Sequence, residues 1–159
     1  MRILGIDPGF GRLGVGIIDV NVGQETCVHS ECFETNPKDT FHVRLKLIGD
    51  KVSELCKTWQ PQAASVETLF FEKNQKTAMA VAEARGVIVY ELLQNNVPVF
   101  EYSPLQVKMA LTGFGKAEKA QVAFMTEKIL HLESKKRLDD ELDALALAVT
   151  HSSSSRRTL

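Results

Sequence analysis

Ile3-Leu4-Gly5-Ile6 is an unbroken apolar run that ends on an acid, Asp7, and is stopped at once by Pro8-Gly9. Four apolar residues closed by a turn signal predict a buried strand with a carboxylate at its C-terminal end. The rest of the chain has to be arranged around that strand. Leu13, Val15 and Ile17 alternate with other residues and predict a second strand to about residue 20. Asn21-Val22-Gly23-Gln24 signals a turn, and residues 26–35 read as a third strand. Asn36-Pro37-Lys38-Asp39 breaks the pattern, with Asp39 as the expected cap of a helix. Phe41, Leu45, Ile48, Val52, Leu55 and Trp59 then recur at steps of three and four, the spacing of an amphipathic helix, which Gln60-Pro61 ends. Residues 63–67 predict a second strand closed by an acid, Glu67. A helix over 73–95, a strand over 97–102 and helical segments at 104–111, 117–130 and 139–150 complete the chain.

Three hairpin-linked strands followed by crossovers predict an α/β fold, a mixed five-stranded sheet with helices on both faces. No repeat or linker divides the 159 residues, so a single domain is expected over 1–151, followed by a polar, disordered tail over 152–159. No segment approaches the ~18 apolar residues of a membrane span, and no signal peptide is expected. Cys27, Cys32 and Cys56 form no CxxC motif and read as reduced thiols of a cytoplasmic protein. Cys27 and Cys32, five apart on one strand, are expected on opposite faces.

Two nucleotide-binding signatures fail on inspection. Gly9-Phe10-Gly11-Arg12-Leu13-Gly14 fits G-x-G-x-x-G, but the third glycine should open a helix, and here a strand pattern follows. Gly115-Lys116 resembles the end of a phosphate loop, yet Ala110 and Ala117 stand where glycine and Ser or Thr are needed.

Four acids carry the chemical reading. Asp7 and Glu67 end strands that can lie side by side. Asp140 and Asp143 are spaced i, i+3 on the last helix and share a face, beside an apolar stripe of Leu142, Leu145, Ala146 and Val149. No Lys or Arg adjoins Asp7 or Glu67 in sequence to compensate burial. Hard oxygen donors of this kind suit Mg²⁺ or Mn²⁺ rather than zinc, and two ions roughly 3.5–4 Å apart can run an in-line displacement at a phosphodiester. Each acid also has a plainer reading: Asp7 as a turn aspartate, Glu67 as a solvated strand end, and Asp140 and Asp143 as first-turn acids favouring the helix dipole, the role assigned to Asp139 and Glu141. The net charge of −1 does not exclude a DNA partner, because clustered carboxylates offset a basic face in the sum.

The chain also resembles a known family. Gly5-Ile6-Asp7-Pro8-Gly9 followed by Gly14 and Gly16 looks like the opening of the RuvC resolvases. So do Glu67 with Phe70, Lys73-Asn74, Ala84-Arg85-Gly86, Gln106-Val107-Lys108, the segment Gly113-Phe114-Gly115-Lys116-Ala117-Glu118-Lys119-Ala120-Gln121-Val122, and Asp140-Glu141-Leu142-Asp143-Ala144-Leu145-Ala146 with Thr150-His151. The resemblance implies an RNase H-like fold and a homodimer. It implies symmetric Mg²⁺-dependent nicking of two like-polarity strands of a four-way (Holliday) DNA junction, with Asp7, Glu67, Asp140 and Asp143 as catalytic acids. It also implies a branch-migration helicase as partner. Val15 stands where the family often has an aromatic residue, and Phe71 and Glu72 depart from the usual small or Met residues after Phe70.

Lys108 and Lys119 are DNA contacts by resemblance, and with Lys116 they cluster around a glycine-containing segment where flexible cations can hold phosphates. Their plainer role is a solvated helix face. Phe70, just past Glu67, could stack on an unpaired base or complete a small satellite core. Arg85 could meet phosphate or brace the sheet, and His151 could assist near the metals or sit at a helix end. The helix over 73–95 carries one stripe of Val81, Ile88 and Leu92 and a weaker one of Met79, Ala80, Ala84 and Val87, of which one face could meet its copy in a two-fold dimer. The competing functions are an RNase H-like nuclease acting on RNA or RNA–DNA hybrid, an actin-like ATPase domain, for which the chain is too short, and a binding module, against which the four acids argue.

Overall fold

The computed structural model describes residues 1–22, 24–69, 75–133 and 137–155. Its elements are β1 (Arg2–Asp7), β2 (Arg12–Asn21), β3 (Gln24–Glu34), α1 (Phe41–Trp59), β4 (Ala63–Glu67), α2 (Gln75–Gln94), β5 (Val99–Tyr102), α3 (Pro104–Thr112), α4 (Lys119–Ile129) and α5 (Asp139–Ser155). They form one five-stranded sheet of order β3-β2-β1-β4-β5. The pairs β1–β2 and β2–β3 are antiparallel, and β1–β4 and β4–β5 are parallel. The expected mixed sheet is thus present, with α1 and α2 on one face and α3, α4 and α5 on the other.

Alternation along the strands divides the core. Leu4, Ile6, Leu13, Val15, Ile17, Ala64 and Val66 pack against Ile48, Val52 and Leu55 of α1 and Ala84, Ile88 and Leu92 of α2. Ile3 and Ile18 turn the other way, toward Leu145, Ala148 and Val149 of α5 and Val107 and Val122 of α3 and α4. Asp7 shares the parity of Ile3, so it faces α5.

The glycines of β1 and β2 let α5 lie directly on the sheet. A Cβ at Gly5 would stand 1.9 Å from the Ala144 carbonyl oxygen, and one at Gly14 would stand 2.1 Å from that of Asp140. Only a bare backbone admits the helix at this depth. The third glycine of the apparent nucleotide motif therefore serves helix-on-sheet contact inside a strand.

Several local expectations are corrected. The cap of α1 is Thr40, not Asp39. Cys27 and Cys32 lie on one face, because Ile18 pairs with Cys27 and Ile17 with His29, leaving Val28 as an extra residue. This bulge shifts side-chain parity by one position. The segment 152–155, expected as disordered tail, continues α5 through Ser155, and Ser152 is fully buried with its Oγ donating to Glu25 at 2.9 Å. On α2, Ala84 joins Ile88 and Leu92 in the buried stripe, and the second stripe is instead the exposed set Met79, Tyr90 and Leu93.

Candidate active site

The parallel register Ile6–Val66 sets the ends of β1 and β4 side by side, with Asp7 and Glu67 as successive residues beyond it. Asp7 is also paired with Gly14 across β1–β2. Because Gly14 lies under the Asp140 carbonyl, the first turn of α5 sits over the same spot and brings Asp140 and, one turn on, Asp143. Three chain segments distant in sequence thus deliver four carboxylates to one end of the sheet.

The electrostatics follow from that convergence. The Asp7 carboxyl is pushed up from 3.8 to about 7, first by burial and then by the charges of Glu67, Asp143 and Asp140. Glu67 is raised by burial and by Asp143, and Asp143 is raised by burial although Lys119 pulls it down. Like charges in a partly dehydrated site disfavour ionisation. A turn aspartate or a solvated strand end would not be so displaced.

Two cations flank the acids. Lys119 Nζ, at the start of α4, lies 2.8 Å from Asp143 Oδ2 and 3.6 Å from Asp139. Arg12, at the start of β2, places NH1 3.4 Å from Asp140 Oδ2 and Nε 3.6 Å from Glu34. Cys32 Sγ also donates to Asp140 Oδ2, at 3.8 Å, and burial first, then the Asp140 charge, push its thiol up to about 11. Glu141 faces Ser30, which donates to it at 2.8 Å, and accepts from the Leu138 amide. It therefore anchors the start of α5, as expected, and stays out of the acid cluster.

The donor set fits a hard divalent cation. All four groups are carboxylates, they repel one another, and added positive charge would relieve the raised Asp7. Among the described residues, no three His, Cys, Asp or Glu side chains are drawn together into a finished ligand set. Asp140 and Asp143 are instead turned to Arg12 and Lys119, from which an ion would have to take them.

The other expected contacts separate. Lys119 stands at the acids and is exposed. Lys108 is half-buried on α3 and Lys116 is exposed in the link between α3 and α4, and neither forms an ion pair among the described residues. Arg85 braces the sheet: its Nε donates to the Glu67 backbone oxygen at 3.3 Å, and its guanidinium pairs with Glu101 of β5. Phe70 and Lys73 lie outside the described residues. His151 is not at the acids. It is buried eight residues beyond Asp143, about 12 Å along a helix at 1.5 Å per residue, with Nδ1 2.8 Å from the Tyr102 hydroxyl and its ring against Phe100. Burial lowers its pKa.

Arg12 and Cys32 were not anticipated. A signal for Arg12 existed: it opens the strand antiparallel to β1, so pairing returns it to the end where Asp7 sits. Cys32 needed the register and the bulge, which single-strand patterns do not carry.

Comparison with known proteins supplies a second line. Residues 3–151 match the family model for crossover junction endodeoxyribonuclease RuvC. The protein of that name from Moorella thermoacetica is 46% identical over 153 residues, covering 96% of this chain and 92% of that one. The structure of Thermus thermophilus RuvC superposes with a TM-score of 0.93 at 35% identity, covering 99% and 97% of the two chains. The same protein in complex with a Holliday junction substrate gives 0.94 at 36% identity, covering 99% and 96%.

Proposed function

The chain belongs to the RuvC family of crossover junction endodeoxyribonucleases, and from that premise we propose how its site resolves a Holliday junction. Two strands of like polarity are nicked symmetrically by phosphodiester hydrolysis, with Asp7, Glu67, Asp140 and Asp143 holding two divalent cations, Mg²⁺ in the cell. The observation that carries this reading is the convergence of Asp7 and Glu67, at the paired ends of β1 and β4, with Asp140 and Asp143 on α5, where burial first and then its three acidic neighbours raise the Asp7 carboxyl to about 7. Bound divalent ions supply Lewis acidity at the scissile phosphate and charge for the acids to hold.

The chain's own residues do the rest. Asp7 and Glu67 are presented by paired strands and Asp140 and Asp143 by a helix seated on glycine backbone, so the four donors are set by rigid elements. Arg85 fixes the Glu67 backbone against β5. Lys119 balances Asp143 until ions and DNA arrive, then is free to turn to phosphate, and Lys108 and Lys116 extend the cationic surface. Phe70, three residues beyond Glu67 in the sequence, supplies the aromatic face for an unpaired base.

A homodimer matches a substrate with two equivalent strands. The exposed stripe Met79, Tyr90 and Leu93 on α2 supports it, with Gly86 between them facing open space that a crossing helix could enter. Cytoplasmic residence accords with action on DNA, and among the described residues no helix is long and apolar enough to cross a membrane. A branch-migration helicase as partner rests on the family resemblance, with no surface assigned to it. No observation favours RNA or RNA–DNA hybrid as substrate.

The test is single-turnover cleavage of a synthetic mobile four-way junction, with both nicks mapped, beside duplex, hybrid and structured RNA. Paired nicks at symmetric positions are expected on the junction with Mg²⁺ and none in chelator. Glu67→Gln should lose cleavage by orders of magnitude while binding the junction normally. Near-normal cutting by that variant would remove Glu67 from the site.

A further inference from the structure

A groove of about 560 Å³ opens from Asp140 and runs between the β1–β2 turn and the first half of α2. Gly9, Phe10, Gly11 and Arg12 form one wall, and Thr77, Ala80 and Val81 form the other. Nothing in the four-acid chemistry requires it. We propose that this groove is a subsite for the sugar–phosphate backbone of the strand being cut, with Arg12 as its phosphate-contacting cation. The proposal rests on the nuclease reading of the adjoining site.

Position comes first. Asp140 lines both the groove and the acid cluster, so a chain lying in the groove abuts the carboxylates end-on. A DNA strand crossing the site must continue past it on either side. Lys119 serves the Asp143 side, and the groove with Arg12 lies on the Asp140 side.

The wall is built to hold a backbone. A Cβ at Gly9 would stand 2.0 Å from the Arg12 carbonyl oxygen, so the turn closes more tightly than any side chain allows. The turn is then pinned from behind. Thr35 donates its amide to the Gly11 oxygen at 3.0 Å and its hydroxyl to the Phe10 oxygen at 2.9 Å. Arg44 donates to the Thr35 hydroxyl at 2.9 Å and lies over the Phe10 ring at 4.1 Å, and that ring stacks on Phe41. A Cβ at Gly11 would meet only the Arg44 guanidinium, at 3.7 Å, so this glycine is not required by crowding. The glycine backbone, the Thr77 hydroxyl and Ala80 admit a phosphodiester closely without selecting a base, and Phe10 and Val81 offer apolar surface to the sugar.

Arg12 is poised for exchange. Its side chain is 57% exposed, and its two carboxylate partners stand at 3.4 and 3.6 Å, longer than a direct charge-assisted hydrogen bond. Exposed pairs of this kind hold weakly. A guanidinium fits a phosphate through a fixed fork of donors and is the side chain suited to take one over.

The experiment measures binding, not only turnover. Full-length wild type, Arg12→Gln, Arg12→Lys and Thr77→Glu are titrated against a labelled four-way junction in chelator over a salt series, with single-turnover cleavage in Mg²⁺ alongside. Arg12→Gln should weaken binding roughly fivefold to tenfold and reduce the slope of log affinity against log salt by about one. Arg12→Lys should restore the slope but not the full affinity. Thr77→Glu, which keeps Arg12 and sets a negative charge on the opposite wall, should weaken binding at an unchanged melting temperature.

Wild-type affinity and slope in Arg12→Gln would overturn the proposal even if cleavage fell, because Arg12 would then only orient Asp140. Undiminished binding by Thr77→Glu would likewise place the strand elsewhere. A wild-type protein that does not prefer the junction to a matched duplex would sink the resolvase reading instead, and the same variants on duplex still decide the groove.

Discussion

Gly14 of β2 lies beneath the backbone of Asp140 in α5, so close that a Cβ at position 14 would stand 2.1 Å from the Asp140 carbonyl oxygen. The contact is backbone to backbone and cannot be relieved by turning a side chain. Gly14→Ala should therefore lift the start of α5 off the sheet, with a stability loss of about 1–3 kcal/mol or more. Urea unfolding measures the loss, and cleavage in the folded variant should fall with it. Wild-type stability would mean that α5 does not seat on β2 at this depth.

Asp7→Asn should stabilise the metal-free protein. The wild-type carboxyl is raised on folding from 3.8 to about 7. Its protonated form suits the fold, so the relative stability is fully present below about pH 4 and is lost as pH climbs through about 7. Asparagine removes that loss, and the gain should be roughly 0.5–2 kcal/mol at pH 8, fading toward pH 4. Millimolar Mg²⁺ should shrink it by binding folded wild type. Asp143→Asn should gain less, since it strands Lys119. Denaturant curves at several pH values check the order, and an Asp7→Asn protein less stable than wild type at pH 8 in chelator would refute the repulsive cluster.

Lys119 pulls the Asp7 carboxyl down, so removing its charge should send that carboxyl above about 7 in the metal-free protein. Carbon-13 NMR of labelled aspartate in Lys119→Met follows the titration directly. The same variant, and Lys108→Ala, should flatten the salt dependence of junction binding by about one counterion each. Only Lys119→Met should move Asp7.

Tyr102→Phe removes the hydroxyl 2.8 Å from His151 Nδ1 in a buried setting. A cost of about 1–3 kcal/mol is expected from the unpaired ring nitrogen. Burial lowers the His151 pKa, so the neutral ring is native and its contribution is lost as pH falls below its ordinary 6.5. Melting temperatures from pH 8 to 5 test this. Cleavage should stay within about threefold of wild type, and a loss of orders of magnitude would return His151 to the chemistry.

The sheet and the gathering of the four acids at one end of it were legible in the sequence because both are written in local pattern. Short apolar runs ending in an acid mark strand ends, and spacing i, i+3 marks one helix face. What was not legible depends on tertiary pairing. The extra residue Val28 reverses parity only because β3 pairs with β2, which is why Cys27 and Cys32 share a face. Ser152 to Ser155 read as solvated tail by composition, yet Glu25 and the packing of α5 draw Ser152 inside. Arg12 and Lys119 reach their carboxylates across 128 and 24 residues, and no window of sequence holds such pairs. Arg85 was ambiguous until Glu67 and Glu101 were seen on adjacent strands.

The seating of α5 on glycine has a consequence for when this molecule becomes dangerous. Two of the four acids arrive on the last described helix, and their place exists only after β1, β2 and β4 have assembled. A chain partway through synthesis or refolding has Asp7 and Glu67 but no docked partner for them. Contacts of such long sequence separation form late. If the proposed four-acid site does the cutting, nuclease competence is gated by completion of the fold, and fragments that lose α5 to proteolysis should be inert toward the chromosome rather than unregulated cutters.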